Sequence, residues 1–162
     1  EGSVFPNVDV YEGKKRIGEI DCLVVFGEYA IIFQAKSQRL TLPARKGKLE
    51  KLIDDFVRAE QKAYDQAAKC ARTITREGIR YVCPDGLKPD LSLIERVYPV
   101  CVLANHYPAL AMQARSFLKS TTDNLIGAPL VCDLFLIDVV AEMLPSLRLN
   151  QGRCARPLPS KR

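Results

Sequence analysis

The sequence has little histidine and no closely spaced cysteines. His106 is the only histidine among the 162 residues, and the six cysteines form no C-x-x-C pair. The ligand spacing of a zinc site is therefore absent. Cys22, Cys101 and Cys132 lie inside apolar runs, so we predict that they are small core residues.

Long apolar runs are also absent. None approaches the roughly 18 residues that a membrane-spanning helix needs, and we find no secretory signal, glycine-rich phosphate loop or serine-histidine-acid triad. We expect a soluble, cytoplasmic protein with reduced thiols and no membrane partner.

What the chain does have is enough apolar residues for a core and a modest excess of positive charge. Its composition is 48% hydrophobic, which predicts one globular domain, residues 1–149, followed by a basic, proline-containing tail, residues 150–162. The net charge of +5 suits a polyanionic partner but does not demand one.

Periodicity predicts a β-meander, then a long amphipathic helix, then further strands and helices. Gly78 is well placed to cap the end of the long helix. The predicted strands cover residues 8–12, 16–26, 29–36, 96–104 and 129–136, the helices 48–77, 109–118 and 137–144, and the loops 41–47 and 81–90.

The second and third predicted strands form a hairpin around Gly27 and Glu28. In this register Asp21 lies opposite Gln34, and Glu19 lies opposite Lys36, with all four side chains on one face. The other face, from Ile20 to Ala35, is wholly apolar and is predicted to be buried.

This polar cluster allows two interpretations. Asp21, with Glu19 or a nearby backbone carbonyl, and the amide oxygen of Gln34 could hold a hard divalent cation, while Lys36 orients a water and stabilises charge on a phosphate. Alternatively, Glu19 and Lys36 form an ordinary cross-strand ion pair at a solvated sheet edge. Geometry alone favours neither.

Two strings of the hairpin resemble a known nuclease motif. Gly18-Glu19-Ile20-Asp21 and Ile32-Phe33-Gln34-Ala35-Lys36 resemble the bipartite motif of the PD-(D/E)xK nuclease superfamily, and more closely its nuclease-related domain family. Further similar strings are Ala35-Lys36-Ser37, Leu42-Pro43-Ala44-Arg45-Lys46-Gly47 and Ala63-Tyr64-Asp65-Gln66-Ala67. The resemblance covers roughly residues 8 to 75.

The resemblance implies a restriction-endonuclease-like α/β fold, with a central mixed sheet that starts as a β-meander and is flanked by helices. It also implies a metal-dependent nuclease, a DNA endonuclease using Mg²⁺ or Mn²⁺. Asp21 and Gln34 become the metal ligands, Lys36 the catalytic lysine and Glu19 an auxiliary residue.

Two features depart from the family pattern. Gln34 stands where an acid is usual; it resembles the Q-x-K variant of the Mrr-like restriction enzymes and removes one negative charge from the metal site. The superfamily core also begins with a helix before the first strand, and we expect this domain to lack it.

Basic residues near the hairpin are candidate phosphate contacts, with a solvated loop surface as the alternative. They are Lys14 and Lys15 at the first turn, and Arg39, Arg45, Lys46 and Lys48 after the lysine. The polar helix residues Gln61, Lys62, Gln66, Lys69 and Arg72 are interleaved with acids, which favours a solvated face.

Two other functional classes stay open. The same fold could bind nucleic acid without cutting it, because Gln34 and the missing helix weaken the metal site. The chain could also be a structural or protein-interaction domain in which the Glu19 to Lys36 cluster is a network of salt bridges.

Overall fold

A computed structural model describes residues 2–37, 41–103 and 118–149 of the chain, and within them one mixed sheet forms the centre. Its strands are β1 (Gly2–Glu12), β2 (Lys15–Phe26), β3 (Tyr29–Lys36), β4 (Ile79–Val82), β5 (Arg96–Leu103) and β6 (Leu130–Asp133). The order across the sheet is β4-β1-β2-β3-β5-β6, with an antiparallel meander on one side and β3, β5 and β6 parallel on the other. The predicted mixed sheet that starts as a meander is confirmed.

Within the described residues, three helices accompany the sheet: α1 (Leu42–Arg45), α2 (Leu49–Ala71) and α3 (Leu134–Leu149). Helix α2 packs across β2, β3 and β5. Its buried face carries the small residues Ala59, Ala63 and Ala67, which let the helix lie close to the strands. None of the helices in the described ranges is both long and apolar enough to cross a bilayer.

The β2–β3 hairpin has the predicted register near its turn, whereas the predicted pairs Asp21–Gln34 and Glu19–Lys36 lie beyond its paired residues. Gly27 takes a positive φ of 57° in the tight turn, and the pairing runs from Phe26 opposite Tyr29 to Cys22 opposite Phe33. The register of this hairpin is therefore set by a two-residue turn.

Strict alternation breaks where β1 and β2 pass Asn7. Asn7 has a φ of 51°, a conformation that asparagine tolerates better than most residues. Phe5 and Val8, three residues apart, both enter the core, and on β2 so do Ile20 and Leu23. On both strands the side chains that point into the core therefore switch from one alternate set of residues to the other, immediately beside Asp21.

Several predicted boundaries are wrong. The predicted loop 41–47 contains α1, which starts with a proline in its first turn, and the predicted loop 81–90 overlaps β4. Strand β1 begins at Gly2, β6 is shorter than predicted, and α3 is longer. Helix α2 ends at Ala71, and turns rather than helix lead to Gly78. Predictions for residues 109–117 and 150–162, and the one for Arg39, lie outside the described residues.

The two faces of the hairpin are covered unequally. Leu23, Ala30 and Ile32 are fully buried on the side of α2. The opposite face, predicted to be buried, exposes 55% of Phe26 and 47% of Tyr29. That prediction is wrong because α3 packs at β6, where Ile137 reaches a small apolar cluster, and leaves the hairpin tip uncovered.

The five described cysteines are free thiols. Cys101 and Cys132 are buried, as predicted for core residues, whereas Cys22 is half-buried.

Candidate functional site

Regular pairing between β2 and β3 ends at Cys22 and Phe33, and polar groups take over beyond that point. The backbone N–H of Ala35 donates to Oδ2 of Asp21 at 2.6 Å. Nε2 of Gln34 donates to the backbone oxygen of Glu19 at 2.7 Å. Asp21 and Gln34 are therefore brought together at the end of the hairpin, each held by the opposite strand.

Gln34 is fully buried, but only one of the two polar atoms of its side chain is hydrogen-bonded within the described residues. Its Oε1 has no hydrogen-bond partner among the described residues. An amide oxygen buried in this way costs about 1–3 kcal/mol in desolvation. A polar residue that bears this cost is a strong candidate for contact with a ligand.

Helix α2 supplies the partner of Lys36. Nζ of Lys36 donates to Oε1 of Gln66 at 2.8 Å. Nε2 of Gln66 and Sγ of Cys70 both reach the backbone oxygen of Glu19, at 3.5 Å and 3.4 Å. The lysine is thus oriented by the helix.

The interpretation of Gln66 as part of a solvated face is wrong. Gln66 is half-buried, and the sequence held a signal for this position. Ala63, Gln66, Ala67 and Cys70 follow the i, i+3, i+4, i+7 spacing of one helix face, so Gln66 lies on the buried stripe itself.

Glu19 does not pair with Lys36, and the prediction that all four polar side chains share one face is wrong. The carboxylate of Glu19 pairs with Arg16, and Nε of Arg16 also donates to Oδ1 of Asp9 at 2.7 Å. Gly18 lies against Cys70 of α2, and Ile20 enters the core, so the Glu19 side chain between them points away from the helix. Lys36 reaches the helix instead.

The donor set suits a hard cation only in part. Among the described residues no group of three or more histidine, cysteine, aspartate or glutamate side chains is placed to hold a metal. Oδ1 of Asp21 and Oε1 of Gln34 nevertheless accept no hydrogen bond within that part of the chain. Mg²⁺ commonly takes one or two carboxylates and fills its other positions with water and substrate phosphate, so a carboxylate and an amide oxygen are donors of the kind it takes.

Glu60 on α2 is a buried acid, although it stands among the polar helix residues for which the sequence favours a solvated face. It is only 1% exposed, and neither of its carboxylate oxygens has a partner in the described ranges. Burial raises its pKa from 4.5 to about 7. Glu60 lies four residues from both Phe56 and Tyr64, which are buried on the same face, and this spacing was the available signal.

The predicted phosphate contacts occupy two places. Lys14 and Lys15 are exposed at the β1–β2 turn, and Arg45, Lys46 and Lys48 are exposed around α1. The backbone N–H of Thr41 donates to Asp55 at 2.7 Å, which fixes the start of α1 against α2. Contact of the five basic residues with nucleic acid stays a prediction.

Comparison with known proteins adds no relative: no family model, no curated protein and no solved structure matches the chain. The chemistry of the hairpin end is therefore the basis for inferring a function.

Proposed function

We propose that the chain is a metal-dependent nuclease, a DNA endonuclease built on a restriction-endonuclease-like core. The observation that carries this proposal is the buried Gln34, whose amide oxygen has no partner within the described residues and lies at the hairpin end that also bears Asp21 and Lys36. A carboxylate, an amide oxygen and an ammonium group are side chains that metal-assisted phosphodiester hydrolysis can use to hold the ion and to stabilise charge on the phosphate.

Asp21 and Gln34 would hold Mg²⁺ or Mn²⁺, which supplies a Lewis acid and a bound water of lowered pKa. The protein prepares these ligands in advance. The Ala35 N–H holds Asp21, and the Glu19 carbonyl oxygen fixes the amide of Gln34, so both oxygens keep their positions before a substrate arrives.

Lys36 would act on the phosphate. Its ammonium group carries three donors, one of which is given to Gln66. The remaining donors can stabilise the negative charge that develops on a phosphate oxygen during hydrolysis.

Cleavage of plasmid and single-stranded DNA tests the proposal. We expect cutting with Mg²⁺ or Mn²⁺ that stops on chelation and falls at least about a hundredfold in Lys36→Ala. Lys88→Ala is the matched control, because Lys88 is exposed on the loop between β4 and β5. Equal cutting by wild type and Lys36→Ala, or cutting that survives chelation, contradicts the assignment.

A second candidate function is nucleic-acid binding without hydrolysis. The observation that favours it is the engagement of Glu19 by Arg16, which leaves Asp21 as the acid available to a metal at this end of the hairpin. In that case the wild-type chain binds DNA equally well with and without metal, and cuts it under neither condition.

A further inference from the structure

Three adjoining hollows have Arg16 in their lining; the two larger ones lie where β2 meets α2, and the smallest is lined by residues of β1 and β2. The smallest, of about 130 Å³, also includes Asp21 and Glu19. The middle one, of about 350 Å³, includes Glu19, Gln66 and Lys69. The largest, of about 850 Å³, shares Lys69 and runs on to Lys119. The two larger hollows share Arg16, Ile17 and Lys69 and together form a groove, and Arg16 and Glu19 separate its end from the hollow that includes Asp21.

The largest hollow is strongly basic. Its only acids among the described residues are Glu12 and Asp65. Glu12 is paired with Arg76, and Asp65 accepts a hydrogen bond from Gln61. The basic side chains that line it are Lys15, Arg16, Lys69, Arg72, Arg76 and Lys119.

Much of this positive charge is uncompensated. Within the described ranges the ammonium groups of Lys15, Lys69 and Lys119 form no salt bridge, and all three side chains are exposed. Arg72 donates to the hydroxyl of Thr121 at 3.0 Å, which orients its guanidinium group without neutralising it.

The side of the groove formed by Lys119 and Thr121 is hydrogen-bonded to α2. The hydroxyl of Tyr64 accepts from the N–H of Thr121 at 2.9 Å and lies 3.0 Å from its carbonyl oxygen. Gln61 makes the same kind of double contact with the backbone of Lys119, at 3.0 Å and 3.1 Å. Lys119 and Thr121 are therefore fixed relative to Lys69 and Arg72, so the groove exists before a ligand arrives.

We infer that this groove binds the phosphodiester backbone of a nucleic-acid strand and leads it toward Asp21 and Lys36. Fixed cations along an elongated concave surface match a chain of phosphates, whereas a flat anionic surface cannot enter such a groove. The direction of the strand rests on the proposed function, but binding in the groove does not. Arg45, Lys46 and Lys48 line none of the three hollows, so the groove is a different surface from the one after Lys36.

Fluorescence anisotropy with labelled single-stranded and duplex oligonucleotides tests the groove while a chelator keeps cleavage out of the measurement. We expect the Lys69→Glu/Lys119→Glu double variant to weaken binding at least about tenfold at about 100 mM salt, and to flatten the salt dependence of binding. Lys88→Glu is the matched control and should bind like the wild type. Lys46→Glu/Lys48→Glu tests the competing surface, and thermal melting checks that each variant is folded.

Each outcome bears on one proposal at a time. Loss of binding only in the groove variant supports the inference, whether or not the wild type cuts DNA. Loss of binding only in the Lys46/Lys48 variant overturns it, as does a wild type that binds anionic vesicles or phosphopeptides but no oligonucleotide. Metal-dependent cutting that the groove variant leaves unchanged, with binding unchanged too, also overturns the groove while the nuclease proposal stands.

Discussion

Glu60 lies among buried residues of α2 and close to Cys101 of β5, where burial raises the pKa of the thiol and the charge of Glu60 raises it further. A buried carboxylate without donors is more costly to ionise than one in water. The proton that Glu60 retains on folding therefore links the stability of the protein to pH.

The sign of this linkage follows from the raised pKa. The folded state binds the Glu60 proton more tightly than the unfolded state, so stability is highest at low pH for this group and falls as pH rises from 4.5 through about 7. Glu60→Gln removes this ionisation. We therefore expect the substitution to be more stabilising at pH 8 than at pH 5, by roughly 2 kcal/mol in the free energy of unfolding.

Urea unfolding of wild type and Glu60→Gln at both pH values measures this effect. Glu142→Gln is the control, because Glu142 is exposed on α3 and its substitution should act equally at the two pH values. If wild type and Glu60→Gln differ by the same free energy of unfolding at pH 5 and at pH 8, the assignment of the proton to Glu60 is contradicted.

Gln66 is a positioning residue for Lys36 if the proposed chemistry is correct. Removing its amide in Gln66→Ala leaves the ammonium group of Lys36 without its acceptor on α2. We expect kcat for DNA cleavage to fall about tenfold or more with little change in KM, because misplacement of a reacting group affects the transition state most.

A double-mutant cycle separates positioning from general damage to the fold. In a Lys36→Ala background, Gln66→Ala should have no further effect on cleavage. Additive losses from the two substitutions, or an equal loss of thermal stability and activity, are inconsistent with a specific role for Gln66.

At the scale of elements, the distance between β2 and α2 depends on Gly18. A Cβ atom at this position lies 2.8 Å from Sγ of Cys70, too close for a real contact. We expect Gly18→Ala to destabilise the protein by about 1–3 kcal/mol, because the helix must move or the thiol must turn. In Cys70→Ala the same substitution should cost much less, and chemical denaturation of the four proteins measures the coupling. Identical costs in the two backgrounds would show that Gly18 does not set this distance.

The hairpin was predictable because a two-residue turn and the strand period fix its register together, and Tyr29–Lys36 has the predicted bounds. The pattern did place Asp21, Gln34 and Lys36 at one end of it. It failed for Glu19 because β1 and β2 exchange faces at the place where Asn7 takes an unusual conformation, and periodicity assumes that no such exchange occurs.

Elements set by tertiary packing were harder to predict. Strand β4 is only four residues long and exists because it pairs with β1, a contact between residues that are distant in sequence. Pro43 and Gly47 predict a turn where α1 forms, because proline is also well tolerated in the first turn of a helix. The contact of Gln66 with Lys36 spans thirty residues and needs the packing of α2 on the sheet, which local sequence does not specify.

At the scale of the whole molecule, Cys101 reports on the integrity of the sheet. It is fully buried on β5, opposite Gln34 of β3, and desolvation raises the pKa of its thiol to about 12. Thiol reagents attack the thiolate, so Cys101 in the native protein lacks both access and the reactive form. The half-buried Cys22 near the end of the β2–β3 pairing is less protected.

We therefore expect iodoacetamide to modify Cys22 in native buffer well before Cys101, with each site identified by peptide mass spectrometry. Because β5 lies between β3 and β6, exposing Cys101 requires the separation of central strands, an event close to global unfolding. Small additions of urea should then accelerate modification of Cys101 in proportion to the unfolded population and change that of Cys22 much less. If Cys101 instead reacts as fast as Cys22 without denaturant, β3 and β5 separate locally, and the buried position of Gln34 on which the proposed metal site depends is not maintained in solution.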